Sequence, residues 1–465
     1  MLLTSRRIRN FSTPLRSHLA RHPLAALFIA IVCAAGMVYY HLFLLIPKVL
    51  EAHASKSLNN GYFFADDFYP VWLTSRESLL HHREPYSPEM TRDIQSGLFG
   101  RPLDVLNPFD PPTGYRAFAY PAFVDIIFWP LAYLPFPTVR VLLAVLFPIL
   151  IAGGILLWMR VIHFRAGPGP VAILVLLTLC SYPILEALFA EQLGLVVGFL
   201  LAASMAALAA DRYVTAGTLL ALTTIKPQVV VLLIFALLLW SLARWRDRRP
   251  LVGAFSVTLG VLCCSAFVVW PHWMEHWLHV LFDYRHYSTP RLTSYLLGPR
   301  VGPVLGPALT VVLIGVSVVV AWRVRTYPPA SSEFCLAICL ILAIEVVTLM
   351  PGHAVYDHVV LLPGIILVLR FWPCLASSQG TTRWLLVITM AALFWQWAAA
   401  LVLIASRPLI LPERFYSTRV FALPIRMAGP FPFILLALLA VVMRRVVRGS
   451  LKLDACDECA EEERE

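Results

Sequence analysis

Four groups of residues in this chain have types and spacings that can do chemistry. Asp66 and Asp67 adjoin in FFADDFYPVW, about sixteen residues beyond the first apolar run. Adjacent carboxylates beside aromatics at a membrane surface suit a general base for a hydroxyl, or an ion site, because burial or the partner's charge raises one pKa toward the working range. They also suit a structural job, since Asp67 before a proline-containing first turn would cap a helix over 68–82.

Lys226, in TTIKPQVV, interrupts continuous apolar sequence. A cation near membrane depth is costly and commonly functional, and neutralising a phosphate is the role it suits. The alternative is a helix-end lysine whose ammonium reaches water, with Pro227 opening the next helix. The segment PGHAVYDHVVLLP brings His353, Tyr356, Asp357 and His358 within six residues. On a helix, His353 and Asp357 at i,i+4 would share a face, so that Asp357 orients a histidine donating to an anion. A zinc site, which lacks a clear further ligand, and a satisfied polar helix end are the other readings. In 271–300, His272, His276, His279, Arg285, His286 and Arg291 surround Trp273 and Trp277. An aromatic belt at an interface accounts for the tryptophans, while Arg285 and Arg291 are candidates for a forked phosphate contact.

Several motifs are missing. There is no GxxxxGK[ST] phosphate loop, no strand-borne GxGxxG and no HExxH. A transferase built on this chain would need a donor that no soluble nucleotide fold reads, such as a lipid-linked one. The CxxC of Cys456 and Cys459 lies in an acidic tail without a second ligand pair nearby, so no metal site is expected there.

The elements that must position these residues are membrane helices. Of 465 residues, 59% are hydrophobic and only 14% charged, against about 25% charged in soluble domains; this excludes a soluble domain, a disordered chain and a fibrous repeat. The net charge of +10 is spread in short basic clusters between apolar runs, which suits an orientation signal and no nucleic acid. Seven cysteines (Cys33, Cys180, Cys263, Cys264, Cys335, Cys339 and Cys374) lie in or beside those runs as small apolar side chains. The first run, from Leu24 to about Leu50, is longer than a signal-peptide apolar region.

A bilayer core about 30 Å thick needs roughly 20 apolar residues per helix. Runs of that order fall near 24–48, 137–160, 170–188, 192–210, 227–243, 250–270, 301–322, 334–350, 354–372, 384–406 and 430–447, and the shorter 213–225 makes about twelve spans. With the Arg-rich segment 1–23 in the cytoplasm, twelve crossings put Arg160/Arg165, Asp211/Arg212, Arg244/Arg246/Arg248/Arg249, Arg323/Arg325, Arg370/Arg383 and Arg444/Arg445/Arg448 inside too, so that nearly every compact Arg cluster obeys the positive-inside rule. The agreement needs 121–135 to be re-entrant or interfacial. A single transmembrane domain over 24–448 is expected, followed by an acidic cytoplasmic tail at 449–465. The long loop 49–120 falls outside, together with 271–300, 406–429 and tight junctions near Glu191, Lys226 and His353. Loops this long are usually functional, and 67–82 and 273–287 have the spacing of interfacial amphipathic helices. One segment fits poorly: 406–429 carries Arg407, Arg414, Arg419 and Arg426 against Glu413 alone. Either it escapes the rule or its arginines serve an anionic ligand.

From about Asp66 to Pro363 the chain resembles glycosyltransferase family 87, integral-membrane enzymes of the C superfamily that include polyprenyl-phosphate-mannose-dependent mannosyltransferases. The resemblance lies in ADDFYPVWLTSRESLLHHREPYSP, FAYPAFVDIIFWPLAYLPF, the Lys-Pro segment AGTLLALTTIKPQVVVLL and HAVYDHVVLLP. At the family's Gly-Gln-x-Asn junction the chain reads AEQLG: Gln192 matches, Glu191 stands at the Gly position and Gly194 at the Asn position. The resemblance implies an all-α polytopic fold and an inverting transfer of a sugar, mannose-like or a pentose, from a polyprenyl phosphate to a hydroxyl of a lipid or glycan acceptor. The reaction would occur on the outer face of the plasma or inner membrane. It further implies Asp67 as base with Asp66 in reserve, and Lys226 and His353 on the leaving phosphate. Gln192, Tyr356, Asp357, His358, Arg285 and Arg291 complete the expected site. No cofactor or divalent metal is expected beyond the donor itself. A transporter or flippase of a lipid-linked sugar would use the same polar groups, but such folds carry internal repeats and none is visible; a silent membrane scaffold is the third reading.

Overall fold

The computed structural model describes residues 23–54, 66–104, 106, 107, 110, 116–352 and 354–451. His353, the arginines of the first 22 residues and the Cys456/Cys459 pair lie outside the described residues. Among those described, every regular element is helical, and an isolated antiparallel bridge joins Arg291 to Pro351. Helix is what apolar runs of this kind demand in hydrocarbon, where each backbone N–H and C=O must find a partner within its own segment.

Among the described residues six helices are long and apolar enough to cross a membrane: Pro23–Ala52, Phe136–Val161, Trp245–Val269, Leu292–Val324, Ser332–Leu349 and Thr381–Leu409. Pro168–Leu179 and Tyr182–Phe189, bent by 59° at a break with Pro183 in the first turn beyond it, bring the number to seven if they form one span. The expected twelve is not reached by this measure. The other apolar runs fold as shorter helices, Gly194–Ala209, Tyr213–Leu222, Val231–Ala243, Leu362–Arg370 and Phe431–Val447. The first four are bounded where the backbone leaves the α-helix at 190–193, at 223–230 and over Val355–Leu361. Irregular backbone at such depth is tolerated where protein or a polar cavity satisfies it. Ser332–Leu349 is the central helix, buried along nearly its whole length and packed on Leu292–Val324, Val231–Ala243 and Phe431–Val447.

In the first loop the helix expected over 67–82 is present as Phe68–His81, and a second helix, not expected from the sequence, follows at Pro88–Phe99. Ser87 caps the second by accepting the Met90 N–H at 3.1 Å. Segment 121–135 folds as Phe123–Ile127 and Trp129–Ala132, each too short to cross at 1.5 Å per residue. The 68–81 helix is pinned onto it: Trp72 Nε1 donates to Leu134 O at 3.0 Å, Arg76 to Ala132 O at 3.2 Å and Ser75 Oγ to Asp125 at 3.1 Å. Phe68 and Val71 thereby enter the main core.

Helix Trp273–Tyr287 departs from expectation in the face it presents. Trp273 is fully buried, and Trp277 Nε1 donates to Ala119 O at 3.0 Å. These tryptophans anchor the helix to protein, and Met274, Leu278 and Phe282 make the exposed apolar stripe. Cys33, Cys180, Cys263, Cys264, Cys335 and Cys339 are free thiols; Cys374 is disulfide-bonded, unlike the plain apolar side chain expected.

Candidate active site

Four interruptions of helix converge. The first is the turn before Phe68–His81. Asp67 occupies the N-cap position, yet its side chain makes no capping bond, so the capping reading fails and the carboxylate is used elsewhere. Its N–H donates to Ala190 O at 3.2 Å, which ties this turn to the second interruption, the 190–193 junction. There Glu191 takes a left-handed backbone, φ 53°, a conformation that favours glycine. Arg140 Nε holds the Glu191 carboxylate at 3.1 Å. The turn aims Gln192, itself buried, at the site.

The third interruption is Lys226, between the 3-10 turns Thr223–Ile225 and Pro227–Val229. Pro227 offers no N–H and disfavours helix at the residue before it; Lys226 accordingly adopts φ −135°, ψ 75°. Helix resumes at Val231, where Glu345 of the central helix accepts the Leu232 N–H at 2.9 Å. The fourth is the 3-10 segment Val355–Leu361, which buries Asp357.

These breaks form a continuous chain of polar contacts. Lys226 Nζ lies 2.6 Å from Asp357 Oδ1 and donates to Gln192 Oε1 at 2.9 Å. The Gln192 amide nitrogen donates to Asp67. Arg116 Nη1 stands 3.6 Å from Asp67 Oδ1, and its Nη2 reaches Asp66 Oδ2 at 2.5 Å. The Tyr356 ring lies 5.0 Å from the Lys226 ammonium, a cation–π distance. Tyr120 and Tyr284 stand within electrostatic reach of Arg116 and Asp67. Gly194 permits the close approach at the centre: a Cβ there would sit 2.6 Å from Asp357 Oδ1 and 3.7 Å from Lys226 Nζ.

Burial foremost pushes the Asp66 carboxyl up to about 7; Arg116 opposes the rise, and the charges of Asp67 and Glu186 add to it. Burial works against the Arg116 charge, but Asp66 and Asp67 outweigh it and hold the guanidinium ionised. Isolated ions would not survive here, since desolvation costs several kcal/mol per ion unless a partner compensates.

Of the residues expected from sequence, Asp66, Asp67, Gln192, Lys226, Tyr356 and Asp357 are brought together. The expected partnership of His353 with Asp357 involves a residue outside those described; Asp357 itself sits in a 3-10 segment and its carboxylate accepts from Lys226. His358 is buried in the same turn but takes no part in the polar chain. Arg291 is exposed at the start of Leu292–Val324 and stands apart from it. The side chain of Arg285 lies outside the described residues. Arg116 and Tyr284 were missed. Arg116 lies four residues before Tyr120 of the FAYP motif, but nothing in a loop sequence marks one arginine among several. Among the described residues no group of three or more His, Cys, Asp or Glu is placed to hold a metal ion.

The family model for glycosyltransferase family 87 matches residues 118–351, half of the chain. No curated protein and no solved structure matches it.

Proposed function

Because the chain belongs to glycosyltransferase family 87, and is therefore a multi-pass membrane glycosyltransferase with a sugar donor and an acceptor, we propose that it transfers a mannose-like or pentose sugar from a polyprenyl phosphate to a hydroxyl of a lipid or glycan, with inversion. The observation that carries this reading is the link through Gln192, which joins a carboxylate, Asp67, to a buried cation, Lys226. Inverting displacement needs such a pair. Asp67 takes the proton of the acceptor hydroxyl, whose oxygen attacks the anomeric carbon, and the bond to the phosphate breaks with its electron pair leaving on the polyprenyl phosphate.

Lys226 receives that charge. Its ammonium has three N–H groups; Asp357 and Gln192 engage two, which leaves one for the phosphate. His353 is assigned a second donor role there. Arg116 tunes the base, since it shares its charge between Asp66 and Asp67. A lysine with hydrogen-bonding partners does the neutralising, so the reaction proceeds without a divalent metal.

The active face is the outer face of the plasma or inner membrane, within a twelve-crossing arrangement in which 1–23 and 449–465 are cytoplasmic and 24–448 is one domain. In that arrangement the short helices act as crossings, 121–135 is re-entrant or interfacial, and the 68–81 and 273–287 helices lie at the interface. The test is transfer by purified protein in liposomes, using a radiolabelled polyprenyl-phosphate sugar and a lipid extract from cells lacking the gene, with and without EDTA. A new labelled glycolipid that persists in EDTA is expected. Movement of the donor between leaflets with no product would instead establish a flippase.

A further inference from the structure

The segment formed by the last turn of the Thr381–Leu409 span and the chain beyond it remains unexplained by the polar chain. Residues 407–426 fold as three short helical turns, Arg407–Leu409, Pro412–Phe415 and Thr418–Phe421, followed by further turns. They are anchored: Phe415 and Phe421 are buried, Tyr40 Oη donates to Phe421 O at 2.9 Å, and Trp395 Nε1 donates to Leu423 O at 2.7 Å. Arg407 Nη1 lies 3.3 Å from Tyr39 Oη, and Lys48 sits 5.5 Å from the Tyr416 ring. The segment is therefore a fixed platform against Pro23–Tyr39 and the chain just beyond it, at the end from which the chain enters the first loop.

Its surface combines two features. Arg407, Arg414, Arg419 and Arg426 are all exposed, and among the described residues none pairs with a carboxylate. Between them Leu409 and Leu411 are 86% and 66% exposed. Arg407 donates to Tyr39 and Arg426 Nη2 to Arg419 O at 2.8 Å, but both partners are neutral; leucines at that exposure need hydrocarbon, and guanidiniums without a counter-ion need anions. The two needs are met together at the boundary between acyl chains and headgroups. Orientation does not explain the arginines, because the expected topology puts them on the side where the positive-inside rule disfavours them.

We propose that the 407–426 platform binds anionic phospholipid headgroups of the adjoining leaflet, the leucines entering the acyl layer while the arginines fork onto phosphate oxygens. The proposal is independent of which sugar is transferred.

The experiment is native mass spectrometry of the full-length protein released from mixed phosphatidylglycerol and phosphatidylcholine nanodiscs, read as the ratio of the two lipids retained. Wild type is expected to retain phosphatidylglycerol preferentially, and R407Q/R414Q/R419Q/R426Q to lose the preference, by about fivefold per arginine removed. The corresponding four-lysine variant should keep part of it, because charge remains while the fork is lost. Equal retention of both lipids by wild type, or a preference unchanged in the four-glutamine variant, overturns the proposal. So does displacement of the lipid by millimolar glycerol phosphate, which would mark a free-anion site. If the fourfold variant does not fold, R414Q and R419Q alone decide: a stepwise loss supports the platform, and an unchanged ratio overturns it.

Discussion

Lys226 and Asp357, 131 positions apart in the chain, meet at 2.6 Å in an almost fully buried ion pair. The ammonium is thus balanced before any substrate arrives, and the anionic donor must share it with a resident carboxylate.

Lys226→Met should lower both donor binding and turnover. It also leaves Asp357 without its counter-charge, a loss that typically costs about 3–5 kcal/mol in a buried pair. The double variant Lys226→Met/Asp357→Asn is expected to recover thermal stability without recovering activity, and Lys226→Arg to restore activity in part. If Lys226→Met leaves polyprenyl-phosphate binding intact and reduces only protein yield, the lysine is structural and the phosphate is held elsewhere.

Asp67→Asn should reduce turnover by roughly 10²-fold or more, as expected for a lost general base, with the fold intact because the side chain caps nothing. Asp66→Asn should cost less. Single-turnover assays on both variants compare them directly; a severe effect from Asp66→Asn alone would reassign the base.

The pH dependence follows from Asp66, raised from its ordinary 3.8 to about 7 chiefly by burial. Between those values the folded chain holds a proton that the unfolded chain has released, so Asp66 makes stability fall as pH climbs from about 4 to about 7, then level off. Activity should run the opposite way. Below pH 7 a neutral Asp66 releases Arg116 toward Asp67, which weakens the base, so turnover should decline as pH drops through about 7. Asp66→Asn should flatten both profiles in that window; melting temperature and initial rate against pH measure them.

Gly194→Ala should leave the chain folded but lower turnover by roughly 10²-fold, the scale of a 1 Å misplacement of catalytic groups. The added methyl has only the space now held by the Asp357 carboxylate, so it pushes that group off Lys226. Unchanged kinetics would mean that the pair has room to move.

Cysteines introduced at Arg92 and at Arg246, in a background without the native thiols, should differ in labelling by an impermeant reagent added outside intact cells. Reaction at position 92 and none at 246 is the expected result. The reverse would place the polar chain on the cytoplasmic face.

The sequence by itself determined what composition and local chemistry control: an all-helical membrane protein, the apolar stretches that become its helices, and the breaks that proline, Lys226 and the AEQLG junction impose. It also marked Asp66, Asp67, Lys226 and Asp357 as candidates, because charged groups at or near the membrane are conspicuous, while Gln192 was marked through the family resemblance at AEQLG. Only the tertiary structure decided who partners whom. Arg116 was invisible, since a loop arginine gains meaning only from the carboxylates that the fold brings to it, Asp66 being 50 positions away in the chain. Asp357 looked like a partner for His353 because periodicity extrapolates a regular helix. A 3-10 turn, together with a glycine that leaves space at position 194, brings the carboxylate to Lys226, a contact that the spacing does not announce. Even the count of membrane-length helices depended on tertiary structure, for hydropathy reads a run's length while the polar site determines where each helix must stop.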